Sequence, residues 1–229
     1  MPFLYDTAYL IYVLPFMLLA MYSQYKVNSN YNYYAQIRNS NNMTGAQVAR
    51  IILDRNNLQH VPVVKTSGVL SDHYDPRNKT ISLSAGVYDN PSVSAPSIAA
   101  NEVGHAIQHD KKNIPLKLRS AIAPAISFAS NFVWIFIVIG FLISPIFVNI
   151  GIAIFIGVLL FQVVTLPVEF DASRRAIREL ENGLISQDEK SGAKKVLQAA
   201  ALTYIAATLV TVGQIARIFS LGGRRSNRN

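Results

Sequence analysis

Apolar residues along this chain gather into long blocks separated by shorter polar stretches. From Ser120 to Val168, 49 consecutive residues lack Asp, Glu, Lys and Arg. As one helix the run would reach roughly 73 Å at ~1.5 Å per residue, more than twice the ~30 Å hydrocarbon core of a bilayer. It therefore predicts two crossings (120–168) joined by a tight turn. The breakers Ser144-Pro145 and Asn149-Ile150-Gly151 put that turn between Ile143 and Gly151. Residues 4–22 carry Asp6 as their one charge and predict a first span. Met1–Asp6 has no Lys or Arg, which favours an uncleaved anchor over a signal peptide. Residues 196–221 are mostly apolar but hold Gln198, Gln214 and Arg217, so they predict a helix that either crosses or lies at the interface.

The polar stretches show other periods. In residues 26–119, Thr44 and Gln47 form a capping box, and Val48, Ile51 and Ile52 share one helical face. Val61–Val64 reads as a short strand. Thr80–Ser84, with alternating Ile81 and Leu83, reads as a second one paired antiparallel with it, with an edge open to an extended peptide. A loop with Pro96 near its end leads into a helix around Asn101–His109. Beyond a break at Pro167, residues 169–195 predict a helix stopped by Gly183. A further helix starts at the Ser186/Glu189 capping box, and residues 222–229 form a basic tail. The expected fold class is a mainly α membrane protein, with three to four transmembrane helices and a small α+β cytoplasmic region.

Composition agrees: 51% of residues are hydrophobic and 15% charged. The net charge of +8 does not point to nucleic acid, because the basic residues flank spans. Residues 26–119 hold 11 Lys/Arg against 6 Asp/Glu, and residues 169–195 hold 6 Lys/Arg. Cytoplasmic retention of such segments predicts a multi-pass protein of the cell membrane whose polar regions face the cytoplasm. With no cysteine, disulfides and thiolate ligands are excluded.

Candidate chemistry centres on "NEVGHAIQH", residues 101–109. Zinc peptidases of the H-E-x-x-H type place two histidines one helical turn apart, with a glutamate beside the first. Asn101, His105 and His109 lie in one such row, because residues four apart share a face, and Glu102 stands beside it. The first histidine position holds Asn101. A register using His105 and His109 would put Ala106 where the base belongs, and an ordinary helix carrying two histidines fits the same letters. Ala99, Ala100, Gly104 and Ala106 permit close packing against a neighbour.

Separated motifs extend the pattern: "TGAQVARIIL", "SDHYDPRNKT", "NEVGHAIQH", "PLKLRS" and "LPVEFDASRRA". In this order they resemble the YugP-type membrane zinc metallopeptidases over nearly the whole chain. The resemblance implies a zincin-like (gluzincin) site with one Zn2+ ion, ligation by His105 and Glu169, and general-base work by Glu102 on metal-activated water. It implies further that Asn101 replaces the first ligand histidine. Asp171 is the alternative ligand, and Ser173 stands where wider relatives carry an aspartate that orients a ligand. His109 is a partner behind the ligands or an alternative ligand. His73 and Tyr74 are candidates to contact an oxyanion or substrate. Arg174, Arg175 and Arg178 could meet carboxylates or lipid headgroups. The expected function is peptide-bond hydrolysis on a peptide or protein substrate, crippled by Asn101 because a carboxamide oxygen is a weak zinc donor. The alternative is a catalytically inactive membrane adaptor that retains a peptide-binding surface.

Overall fold

Residues 7–226 are described in the computed structural model, with side chains as far as Leu221. Leu4–Asp6 of the predicted first span, and the side chains of the basic tail, lie outside the described residues. The elements run α1 (Thr7–Tyr12), α2 (Leu14–Ala35), α3 (Gly45–Arg55), β1 (Val63–Thr66), β2 (His73–Asp75) and β3 (Thr80–Ser84). They continue with α4 (Ala85–Tyr88), α5 (Ser94–Asp110), α6 (Ile114–Ser130), α7 (Val133–Leu142), α8 (Pro145–Glu181) and α9 (Gln187–Ser226). They divide into two compact units, one of residues 1–23, 118–166 and 202–229, the other of residues 24–117 and 167–201.

In the first unit, α1 and α2 join through Val13, whose N–H donates to Tyr9 at 3.0 Å while its carbonyl accepts from Met17 at 2.9 Å. α6 and α7 are bent by 41° relative to each other. The bend has a local cause: Asn131 and Phe132 donate to Phe128 and Ala129, i→i−3 bonds that tighten the chain and interrupt the α ladder. The predicted hairpin turn falls at Ile143-Ser144, with Pro145 opening α8. α8, and α9 as far as Leu221, are long and apolar enough to cross a membrane, and the bent α6–α7 pair makes a third if it counts as one span. The helix that begins at Thr7 does not meet that test among the described residues.

The expected break at Pro167 does not occur, because α8 runs through it without interruption. Proline removes one N–H from the ladder, and a helix in an apolar setting absorbs that loss.

The second unit grows from strong local signals. Thr44 Oγ1 accepts from the Gln47 N–H at 3.3 Å and Gln47 Oε1 from the Thr44 N–H at 2.9 Å, so α3 starts where its capping box puts it. Ser186 and Glu189 do the same for α9, at 2.8 and 3.4 Å. α8 ends before Gly183, whose φ of 86° is left-handed.

The sheet differs from the expectation. Its order is β1-β3-β2, with β1 parallel to β3 (Val63↔Ile81) and β2 antiparallel to β3 (Tyr74↔Ile81). Within the connection from β1 to β3 the chain forms an extra strand, β2, and a hairpin, which returns β3 in the same direction as β1. Thr80–Ser84 is therefore central, and β2 is an edge.

The core joins Val48, Ile52 and Leu53 of α3 to Ile81 and Leu83 of β3, and to Ala99, Ala100 and Val103 of α5. Each fully buried Ile or Leu contributes roughly 1.5–3 kcal/mol. α5 also lies against α8. A Cβ on Gly104 would come within 2.8 Å of the Ala172 carbonyl oxygen, so only glycine lets these helices approach as they do.

Candidate active site

That close approach sets the site. α5 supplies Asn101, Glu102, His105, Gln108 and His109, α8 supplies Glu169, Asp171 and Ser173, and β2 supplies Tyr74, all within the second unit. His105 Nε2 and Glu169 Oε2 stand 3.6 Å apart. Both residues are buried, at 7% and 4% exposure.

The imidazole is held from behind. Gln108, fully buried, donates through Nε2 to the Val168 carbonyl at 2.9 Å and to Asp171 Oδ2 at 2.8 Å. Two acceptors on its nitrogen fix the amide's orientation, which leaves Oε1 to accept from His105 Nδ1 at 3.0 Å. Nδ1 therefore carries a proton, and Nε2 is the nitrogen presented to Glu169. This is how proteins orient a ligating imidazole. Asp171 is turned toward Gln108 and toward Arg175, whose Nε donates to it at 2.7 Å.

One turn earlier the arrangement changes. Asn101 Oδ1 accepts from Ser173 Oγ at 3.1 Å, and Asn101 Nδ2 donates to Glu102 Oε1 at 3.4 Å. Glu102 Oε2 accepts from the backbone N–H of Tyr74 at 3.0 Å. Burial of its carboxylate raises the Glu102 pKa above the ordinary range. The charge of Glu169 pushes the same way, while His105 and the Asn101 hydrogen bond oppose. A carboxyl poised upward suits proton transfer near neutral pH.

Tyr74 and His73 point to different places, as neighbours on a strand do. The Tyr74 hydroxyl meets His109 Nδ1 at 2.8 Å. Burial and the charges of Asp75 and Asp110 push the tyrosine up to about 12, so its O–H remains the donor. Burial and the cations Lys79 and Lys117 push His109 below the usual histidine range, which keeps its ring an acceptor. His73 is exposed, with Nδ1 on the Ser71 carbonyl at 2.8 Å. His109 is thus tied to Tyr74, away from Gln108 and His105.

Sequence reasoning brought His105, Glu169, Glu102, Asn101 and Ser173 into one list, and the fold brings them into one place. It missed Gln108. The available signal was an amide three residues after His105, on the same face of the helix.

Catalytic zinc sites use three protein ligands and an open position. Here one imidazole nitrogen and one carboxylate converge, and one turn earlier on α5 stands a carboxamide whose oxygen already accepts from a serine hydroxyl. Among the described residues no three His, Asp or Glu side chains gather as a ligand group. The donor set does not complete a catalytic zinc site.

Comparison with known proteins adds the family. Residues 9–222 match the family described as "putative neutral zinc metallopeptidase". The chain is 43% identical over 213 residues to the "putative membrane protease YugP" of Bacillus subtilis (strain 168), covering 91% of this chain and 95% of that protein. No solved structure matches. Sharing nearly its full length with that family's pattern and with one of its members, the chain belongs to the YugP-type zinc metallopeptidase family.

Proposed function

We propose that the protein is a multi-pass membrane peptidase scaffold with its site facing the cytoplasm. In this reading the site is built for one zinc ion held through His105 and Glu169, with Glu102 as the proton acceptor, and Asn101 leaves it one ligand short. The observation that supports this most is the 3.6 Å convergence of His105 Nε2 and Glu169 Oε2 behind a fully satisfied Gln108. The 11 Lys/Arg of residues 26–119 and the 6 of residues 169–195 support the cytoplasmic orientation. With a carboxamide in the third position, hydrolysis is slow or absent in this chain.

The test compares the chain carrying Asn101 with its Asn101→His variant, both purified in detergent. Zinc content should rise toward one ion per chain, and cleavage of a mixed peptide substrate should appear together with it. Zinc loading without cleavage would refute the peptidase reading, and no gain in zinc would refute the ligand assignment. A second reading is favoured by the Ser173–Asn101 hydrogen bond. A third position satisfied by protein rather than by metal suits an adaptor that holds peptides without cutting them. Peptide binding that survives chelation in the chain carrying Asn101 supports this adaptor.

A further inference from the structure

Lined in part by Tyr74, whose backbone N–H is bonded to Glu102, lies a cavity of about 320 Å³. Its floor is apolar, made by Leu58, Val61 and Ala106, all buried. Its rim is cationic, with Lys79, Lys112 and Lys117 around the opening and His60 beside them. Asp110 is the one carboxylate in the lining. None of the three lysines has an ion-pair partner among the described residues. Their charges reach inward, since Lys79 and Lys117 act on the His109 ring that, with the Tyr74 hydroxyl, lines the inner wall.

The backbone points the same way. Lys79 and Lys112 have φ of 51° and 55°, left-handed conformations that glycine or asparagine adopts more cheaply. Lys112 lies just past the C-terminus of α5, where glycine is the usual residue. Lysine is kept at two positions where the backbone favours other residues.

We propose that this cavity is a subsite for an acidic residue of a bound peptide, with an apolar stem on the floor and a carboxylate at the lysine rim. The occupant rests on the peptide-substrate reading above. A peptide is favoured over a lipid headgroup by Tyr74. It belongs to the edge strand β2, its N–H is bonded to Glu102, and its ring lines the cavity. An extended peptide along β2 would thus pass the candidate base and set a side chain into the pocket.

The test is equilibrium binding to the chain as it stands, with Asn101, in detergent, which needs no catalysis. The probes are two fluorescent pentapeptides, Ala-Ala-Glu-Ala-Ala and Ala-Ala-Gln-Ala-Ala, both capped at each end. The glutamate peptide should bind about tenfold more tightly, as charge-assisted hydrogen bonds allow, and the preference should shrink as salt rises. Lys79→Met, Lys112→Met and Lys117→Met combined, which keep the stems, should bring the two affinities together. Equal affinities in the parent chain, no binding of either peptide, or a preference that survives in the triple variant overturns the subsite. Displacement of the glutamate peptide by phosphatidylglycerol vesicles, but not by phosphatidylcholine ones, overturns the peptide assignment in favour of a headgroup. A retained glutamate preference alongside an inert Asn101→His protein would sink the peptidase reading and leave the subsite standing.

Discussion

His105 and Asn101 sit one turn apart on α5 and face the same part of α8, yet they are supported in opposite ways. Behind His105, Gln108 spends both amide ends on fixing one imidazole, and its nitrogen is in turn held by Val168 and Asp171. That bonding leaves Nε2 directed at Glu169. At Asn101 the bonding runs into the residue itself: Ser173 donates to its oxygen and its nitrogen donates to Glu102. One position presents a donor atom outward, and the other consumes its polar atoms within the protein. In the reading proposed above, the site is one ligand short at Asn101 while the bonding that orients His105 is whole.

The sharpest way to break this contrast is Asn101→His. Structural zinc sites total roughly 10–16 kcal/mol, so a third strong ligand should add on the order of several kcal/mol. Competition against a calibrated chelator should show zinc affinity rising by at least about a hundredfold. An affinity that does not move would mean the two positions were never halves of one site.

Next comes the spacing that both positions share. Gly104→Leu forces a side chain into the Ala172 backbone, where even a Cβ would lie 2.8 Å from the carbonyl oxygen. Overpacking of this kind costs about 1–3 kcal/mol. The expected outcome is a lower thermal midpoint and, in the Asn101→His background, loss of the zinc gained, since α5 and α8 must part. Unchanged zinc binding would show that the approach of the helices does not set the site.

The His105 side can be tested alone with Gln108→Leu in the Asn101→His protein. Leucine fills similar space but leaves Nδ1 and the Val168 carbonyl without their partner. Loss of such support behind a ligand lowers metal affinity about 10–100-fold, and chelator competition would read it. A drop below about twofold would make Gln108 a packing residue only.

What the sequence carried follows the range of each interaction. Capping boxes at Thr44/Gln47 and Ser186/Glu189, and the stop at Gly183, involve residues within four of one another, so the letters suffice. The 49-residue charge-free run placed the hairpin turn because bilayer thickness leaves two crossings as the compact solution. The sheet was misread because β2 is three residues long and its partner is chosen by tertiary packing rather than by pattern. Pro167 was misread as a break, whereas α8 continues through it, as long apolar helices can where the freed backbone groups find other partners. In the site, His105, Glu102 and Glu169 stood out by residue type. Gln108 did not, because its importance lies in bonds to residues 60 and 63 positions away.

The smallest effect concerns the Asn101 side in the parent chain. Ser173→Ala removes one neutral hydrogen bond between half-buried groups, from Ser173 Oγ to Asn101 Oδ1 at 3.1 Å. Such bonds contribute about 0.5–1.5 kcal/mol net, and partial solvent access lets water take over, so the low end of that range is expected. The thermal midpoint should fall by a degree or two, and zinc affinity should stay at the low level of the parent. If instead zinc affinity rises clearly, the serine was holding the amide oxygen away from an ion. The contrast between the two positions would then be one of competition for that oxygen rather than of a missing ligand.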